Sequence, residues 1–341
     1  MKAVVAHAFG AVETLRLQDW PDPVPGPGEV VVDVMAAGVN FSDLLVIGGR
    51  YQVLPTLPFI PGEEAAGIVS SVGEGVHTCA VGDRVLALVE SGAYGERLLA
   101  PQASCFVLPR EMSFLEAAGF ALAFQTAHFA LVDRANLQPG EVVLVTGAAG
   151  GVGLACVQLA KALGARVLAG ASTADKGRIA RAAGADAIVD LSGPDLGSSI
   201  RDDVRALTDG KGADVVLEVV GGDAFEGAFR SLAWRGRLVA IGFAGGRIPS
   251  IAVNRILLRN VSVAGLHSSD YRERHPEWMR RVQSELFVLY ERGLLRTEPA
   301  GSYPLEEAPR AMAELRDRRA KGKIVLTTDR WQQRNAGSPS R

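Results

Sequence analysis

An α/β fold in two parts is predicted by three observations. Short β-type runs broken by Gly and Pro fill the chain up to about residue 115, and six apolar runs alternate with helical stretches from Glu141 onward. A glycine-rich turn follows the first of those six. The first pattern reads as a small β-barrel-like domain, the second as a doubly wound parallel sheet with helices on both faces. At 341 residues the chain is long enough for both and too long for one core.

The elements follow in order. Met1-Lys2-Ala3-Val4-Val5 lacks the hydrophobic stretch and cleavage site of a leader and reads as an immediate strand. Pro21, Pro23, Pro25 and Pro27 fix φ and remove donors, so residues 21–28 read as a rigid turn. Strands are expected over 30–34, 67–72, 84–89 and 96–99, then over 142–146, 165–170, 187–190, 214–219, 237–242 and 261–265. The helix after the first of the later six carries Val152, Ala155, Cys156, Leu159, Ala160 and Leu163 at spacings of three and four, one apolar face against a sheet. Cys156 is therefore expected in the core. Helical stretches over 276–293 and 304–319 and a closing strand over 323–327 are expected to return to the first domain, and residues 331–341 to be frayed. The boundaries expected are 1–120, 121–266, 267–328 and a flexible tail at 329–341.

Composition removes several classes of function. Lys and Arg number 36 against 38 Asp and Glu, a formal net charge of −2, so no overall basic field draws the chain to nucleic acid. Hydrophobic residues make up 48% and charged residues 22%, the balance of a folded globular chain. The three cysteines, Cys79, Cys105 and Cys156, form no CxxC pair and have no His at metal-ligand spacing. That argues against a disulfide framework or a zinc lobe and for a reducing cytoplasm. The charge-free run 117–132 contains Gln125 and His128 and is shorter than the roughly 20 apolar residues of a spanning helix, so no membrane span is expected.

The strongest chemical signal is the apolar strand at 142–146 running into Gly147-Ala148-Ala149-Gly150-Gly151-Val152-Gly153. Glycines permit a tight turn, and the free N–H groups of the helix that follows can hold a pyrophosphate. Such a turn alone is weak; at the first strand–helix junction of an independently inferred sheet it favours dinucleotide binding. An NAD site usually ends its second strand with Asp or Glu on the ribose 2′-OH. Here the position reads Ala171-Ser172, with Lys176 nearby, groups that can donate to a 2′-phosphate and so favour NADPH. The competing reading has Ser172 and Thr173 capping the next helix, Lys176 solvated and Asp175 adding negative charge.

These motifs, with Gly38-Val39-Asn40-Phe41-Ser42-Asp43, Gly49-Arg50-Tyr51, Pro61-Gly62-Glu63-Glu64-Ala65-Ala66-Gly67, Val81-Gly82-Asp83-Arg84-Val85 and Gln125-Thr126-Ala127-His128, resemble the medium-chain dehydrogenase/reductase superfamily. Within it the chain is similar to the zinc-free NADPH:quinone oxidoreductases related to ζ-crystallin, over about residues 1–328. The resemblance implies a GroES-like β-barrel catalytic domain, a Rossmann domain with a doubly wound parallel sheet, a cofactor between them, and a homodimer paired through the last Rossmann strands near 261–265. It places Asn40, Tyr51, Thr126, Ala149, Gly150, Gly151, Val152, Ser172, Lys176, Ile241, Gly242, Phe243 and Leu266 by the cofactor. Where many such reductases carry Tyr or His beside the adenosine, this chain has Leu191.

Zinc alcohol dehydrogenases of the superfamily place Cys where Asn40 stands and His where Glu63 stands, so no metal is expected. The carboxylates of Glu63 and Glu64 then read as hydrogen-bonded structural groups. Without a metal to polarise the acceptor, hydride transfer needs a small molecule that is already electrophilic, such as a quinone, an enone or an enoyl compound. Asn40, Tyr51 and Thr126 are the candidate donors to its developing charge. Two rivals remain: an enoyl-thioester reductase on the same fold, and a non-catalytic NADPH-binding protein of crystallin or sensor type.

Overall fold

The computed structural model describes residues 1–336. Fifteen strands run through them: β1 (Lys2–Val5), β2 (Arg16–Asp19), β3 (Glu29–Val39), β4 (Glu64–Val72), β5 (Arg84–Leu88), β6 (Arg97–Pro101), β7 (Cys105–Val107), β8 (Val142–Val145), β9 (Arg166–Ala171), β10 (Ala187–Asp190), β11 (Ala213–Glu218), β12 (Leu232–Ala240), β13 (Ser262–Gly265), β14 (Pro299–Pro304) and β15 (Lys323–Thr327). They fall into two compact units. The first takes Met1–Leu122, Ser269–Glu291 and the chain from Arg296 onward; the second takes Ala123–Ser268 and Arg292–Leu295.

In the first unit a seven-stranded sheet follows the order β14-β15-β3-β4-β5-β7, with β6 also paired to β3. The long strand β3 serves two partners on one edge. Its first half, from Glu29 to Asp33, pairs antiparallel with β6, and its second half, from Ala36 to Val39, with β15. Register shifts against β4 at Val31/Val32 and Val34/Ala36 supply the local bends that such a division requires. Apolar side chains of this sheet, among them Val30, Val32, Val34, Val69, Val85 and Leu326, form one core with the helix Phe41–Ile47. Close approach demands glycine at 38, where a Cβ would lie 2.1 Å from Ala118 O and 2.5 Å from Glu64 Oε1.

The second unit is a parallel sheet of order β10-β9-β8-β11-β12-β13. β8 is central, and chain order reverses between β8 and β11, the place where doubly wound sheets open a crevice beyond their carboxyl ends. The helix Gly151–Ala162 buries Ala155, Cys156, Leu159 and Ala160, so Cys156 packs in the core. β12 starts earlier than its apolar run, at Leu232. A register shift and the left-handed Arg235 (φ 63°) interrupt it before the regular pairing from Arg237.

The flexible tail expected at 329–341 needs correction. Asp329–Ala336 is helical. Thr328 Oγ1 donates to Val34 O at 2.5 Å, Trp331 N donates to Thr328 O at 3.1 Å, and Arg330 pairs with Asp33 at 3.0 Å, fastening the helix to β3. The remainder of that tail, 337–341, lies outside the described residues.

Candidate functional site

In the second unit the glycine turn has the geometry of an anion cradle. Gly147 sits at φ 59°, and a Cβ on Gly153 would lie 2.3 Å from Gly147 O and 2.8 Å from Ala148 Cα. Only glycine lets the helix start lean this closely on the turn. The helix begins at Gly151 with Gly150 as N-cap, a residue with no side chain to cap it, and helix N–H groups in that position can receive an anionic acceptor. Ala149 is buried within the turn and Val152 is half-buried on the first helical turn.

At the end of β9, Ala171 is buried and Ser172 is exposed. The cap of the helix Ala174–Ala182 is Thr173, whose Oγ1 accepts from Lys176 N at 3.2 Å, so Ser172 is not needed for it. Asp175 pairs with the Arg178 guanidinium, which offsets its charge locally. Lys176 is half-buried one turn into that helix. Leu191 packs over the same strand end, with its Cδ1 3.0 Å from where a Cβ on Gly170 would stand.

Ile241, Gly242 and Phe243 leave β12 under the control of β11. Ile241 N and Gly242 N donate to Glu218 O at 2.8 and 3.4 Å, and Leu266, buried after β13, donates its N–H to Ala240 O at 3.0 Å. Ten of the expected cofactor residues thus stand at the carboxyl ends of four parallel strands, after β8, β9, β12 and β13. Thr126 is buried on the helix Ala121–His128, upstream of the sheet.

In the first unit the register of three strands assembles a buried polar cluster. Gly38 of β3 faces Glu64 of β4, and Val39 faces Ile324 of β15, so Asn40, Glu64 and Lys323 meet at adjacent strand ends. Lys323 Nζ donates to Asn40 Oδ1 at 2.5 Å and to Glu64 Oε1. Asn40 Nδ2 donates to Glu64 Oε1 at 3.2 Å and to Gly38 O at 3.4 Å, and Leu122 N donates to Glu64 Oε2 at 3.1 Å. Both polar ends of the Asn40 amide are therefore engaged inside the protein.

The carboxyls of Asp43 and Glu63 adjoin it. Asp43 Oδ2 accepts from Asn40 N at 2.8 Å and from the Tyr94 hydroxyl at 2.7 Å. Burial pushes the Asp43 carboxyl up to about 6, against the pull of those donors and of Lys323. Glu63 accepts from the Ser42 hydroxyl. Its burial and the neighbouring Asp43 charge push it up to about 8, with Ser42 and Arg272 pulling the other way. Tyr51 is half-buried and hydrogen-bonded to the Ser269 side chain; burial and then the Glu63 charge push its phenol up to about 12. Arg272, which also faces Tyr51, pairs with Glu90, and a groove of about 450 Å³ beside that pair is lined by Leu88, Val89, Leu99, Phe106 and Met279.

Sequence reasoning passed over Lys323 and Arg272. Nothing local marks them; only strand pairing and the return of the chain to the first unit bring them to Asn40 and Tyr51.

The donor set around Asn40 does not fit zinc. The amide oxygen already accepts from an ammonium, and among the described residues no group of three or more His, Cys, Asp or Glu is arranged to hold a metal ion.

A bulged, largely antiparallel sheet joined to a parallel nucleotide-type sheet with an uncapped glycine turn defines an oxidoreductase of the medium-chain type. Residues 26–110 match the alcohol dehydrogenase GroES-like domain, and residues 151–284 match the family described as zinc-binding dehydrogenase. The chain is 38% identical to a quinone oxidoreductase-like protein 2 homolog of Nematostella vectensis, over 89% of this chain and 82% of that protein. It is 33% identical to a synaptic vesicle membrane protein VAT-1 homolog of Rattus norvegicus, over 96% of this chain and 84% of that one. The solved quinone oxidoreductase of Escherichia coli, complexed with NADPH, is 32% identical and superposes with a TM-score of 0.88, covering 96% of this chain and 100% of that one. The chain belongs to the quinone oxidoreductase family of the medium-chain dehydrogenase/reductase superfamily.

Proposed function

We propose that this chain is an NADPH-dependent, zinc-independent reductase that delivers hydride to quinones or to activated, α,β-unsaturated C=C bonds. The observation that carries the reading is the Lys323 ammonium on Asn40 Oδ1: the position that zinc relatives use for a ligand is turned to an internal cation, so the acceptor must be electrophilic by itself.

Bound NADPH supplies the hydride. The first N–H groups of the helix Gly151–Ala162 would hold its pyrophosphate, and Ser172 with Lys176 would receive the 2′-phosphate, where an acidic residue would repel it. Ile241, Gly242, Phe243 and Leu266 would hold its nicotinamide end. The candidate hydroxyl donors to the developing oxyanion are Tyr51 of the first unit and Thr126 of the second, while the Asn40 amide is taken up by Lys323 and Glu64. The apolar groove beside Glu90 and Arg272 suits the hydrocarbon part of a quinone or enone.

The working form is a homodimer joined at the β13 edge. β13 ends its sheet with an unpaired side, and on the adjacent helix Val253–Arg259 the side chains of Val253, Leu257 and Leu258 are 75%, 70% and 73% exposed. The three free cysteines suit the cytoplasm, and no helix among the described residues is long and apolar enough to cross a membrane.

The test is NADPH oxidation with a quinone, an enone and crotonyl thioester, with and without a chelator. Turnover of quinone or enone that survives the chelator supports the reading. Faster crotonyl-thioester turnover moves the assignment to an enoyl-thioester reductase, and NADPH binding without turnover of any acceptor moves it to a binding protein.

A further inference from the structure

We propose that Glu218 is a positioning residue for the cofactor, a single buried carboxylate that ties the turns after β8, β11 and β12 into the shape that receives the dinucleotide. The inference rests on the NADPH reading above and concerns a residue to which that reading gives no part.

Glu218 is the last residue of β11 and is fully buried. Its strand lies next to β8 at the point where chain order reverses. From there its side chain reaches both turns. Oε1 accepts from Thr146 Oγ1 at 3.0 Å, from Val220 N at 3.0 Å and from Gly221 N at 2.9 Å, and Oε2 accepts from Gly221 N at 2.9 Å. Thr146 is the residue before Gly147, so this bond holds the entrance of the glycine turn. Thr146 Oγ1 in turn accepts from Val219 N at 3.1 Å, which closes the link from the other side. The Glu218 main-chain oxygen accepts from Ile241 N, bringing in the turn after β12.

The turn after β11 needs such a hold. Gly221 and Gly222 stand at φ 76° and 57°, and a Cβ on Gly221 would lie 2.8 Å from Arg247 O and 3.2 Å from the Phe243 ring. Residues 219–222 and 243–247 are therefore packed together, and a shift in one moves the other. Among the described residues no Lys or Arg pairs with Glu218; N–H and O–H donors alone satisfy it. A buried carboxylate without a counter-ion is costly, and a strand end does not require one. What this one adds is a rigid bridge across the mouth of the crevice.

The experiment measures NADPH dissociation constants by cofactor fluorescence, and apo-protein melting temperatures, for wild type, Glu218→Gln, Thr146→Val and the double variant. Gln keeps the acceptor toward Thr146 and sets an NH2 against the Gly221 N–H; Val removes only the Thr146 hydroxyl. NADPH binding is expected to weaken about tenfold in Glu218→Gln and severalfold in Thr146→Val, with the double variant short of the product because both break the same bridge, one at its Gly221 end and the other at its Thr146 end. A purely structural Glu218 would lower the melting temperature and leave the NADPH dissociation constant of the folded variants at the wild-type value, which overturns the inference. If Glu218→Gln does not fold, Thr146→Val decides alone on the same criterion. Failure of wild type to bind NADPH overturns the cofactor reading and this inference with it.

Discussion

Lys323 and Asn40, 283 residues apart in sequence, meet at 2.5 Å between ammonium nitrogen and amide oxygen, and the same ammonium donates to the buried Glu64. One cation thus satisfies an amide and a carboxylate that the chain places in its interior, and its loss would strand the Glu64 charge.

Lys323→Met is accordingly expected to destabilise the protein by about 3–5 kcal/mol, the usual effect of removing one partner of a buried pair. Glu64→Gln in the same background should recover part of that loss by removing the stranded charge, and urea denaturation of wild type and the two variants measures it. Equal stability of wild type and Lys323→Met would make the cluster a solvated one.

The buried carboxyls make stability depend on pH. Glu63 is raised from 4.5 to about 8 and Asp43 from 3.8 to about 6, so between the unfolded and folded values the folded state holds more protons than the unfolded one. Stability from these groups is complete below about pH 4 and is lost as pH rises through the folded values, on the order of a few kcal/mol by pH 9. Thermal melting should fall from pH 6 to pH 9, and Glu63→Gln should flatten that slope. A slope unchanged in Glu63→Gln would assign the effect to other groups.

Cofactor choice is checked at Lys176. Lys176→Ala should weaken NADPH by about 1–3 kcal/mol, as for a charge-assisted hydrogen bond, and leave NADH nearly unchanged. Titration of both cofactors against both proteins measures it; equal losses for the two would take the 2′-phosphate away from Lys176.

Periodicity made the fold legible wherever a signal was local. Six apolar runs of strand length with helical stretches between them located β8 to β13, and the three- and four-residue spacing around Cys156 placed that side chain in the core. The glycine turn was readable because Gly147 and Gly153 answer backbone demands that a Cβ would violate. Thr173 rather than Ser172 proved to be the cap, a distinction that depends on one backbone dihedral and one Oγ1 position. Strands β2 and β14 carry too few apolar residues to be seen, β7 is apolar but only three residues long, and the helix Asp329–Ala336 exists through bonds to β3 far away in sequence. Glu218 and Lys323 read only as charged residues at the edge of apolar runs. Their partners come from strand order and register, which no local pattern encodes.

Tyr51 offers the sharpest test of the chemistry. Its phenol, pushed up to about 12 by burial and by the Glu63 charge, stays protonated throughout any practical assay range and is a competent hydrogen-bond donor. After hydride reaches the β-carbon of an enone, the enolate needs that donor and then a proton, whereas a reduced quinone can take its proton from water. The rival role is an aromatic wall that packs against cofactor or substrate, which needs the ring alone. Tyr51→Phe keeps the ring and removes the hydroxyl. Enone turnover is expected to fall by roughly 10²-fold while NADPH affinity changes little and quinone reduction suffers less. The measurement is kcat and kcat/KM for one enone and one quinone in both proteins, with the NADPH dissociation constant alongside. Equal turnover of both acceptors in Tyr51→Phe would leave the ring as packing and pass the donor role to Thr126 or to water.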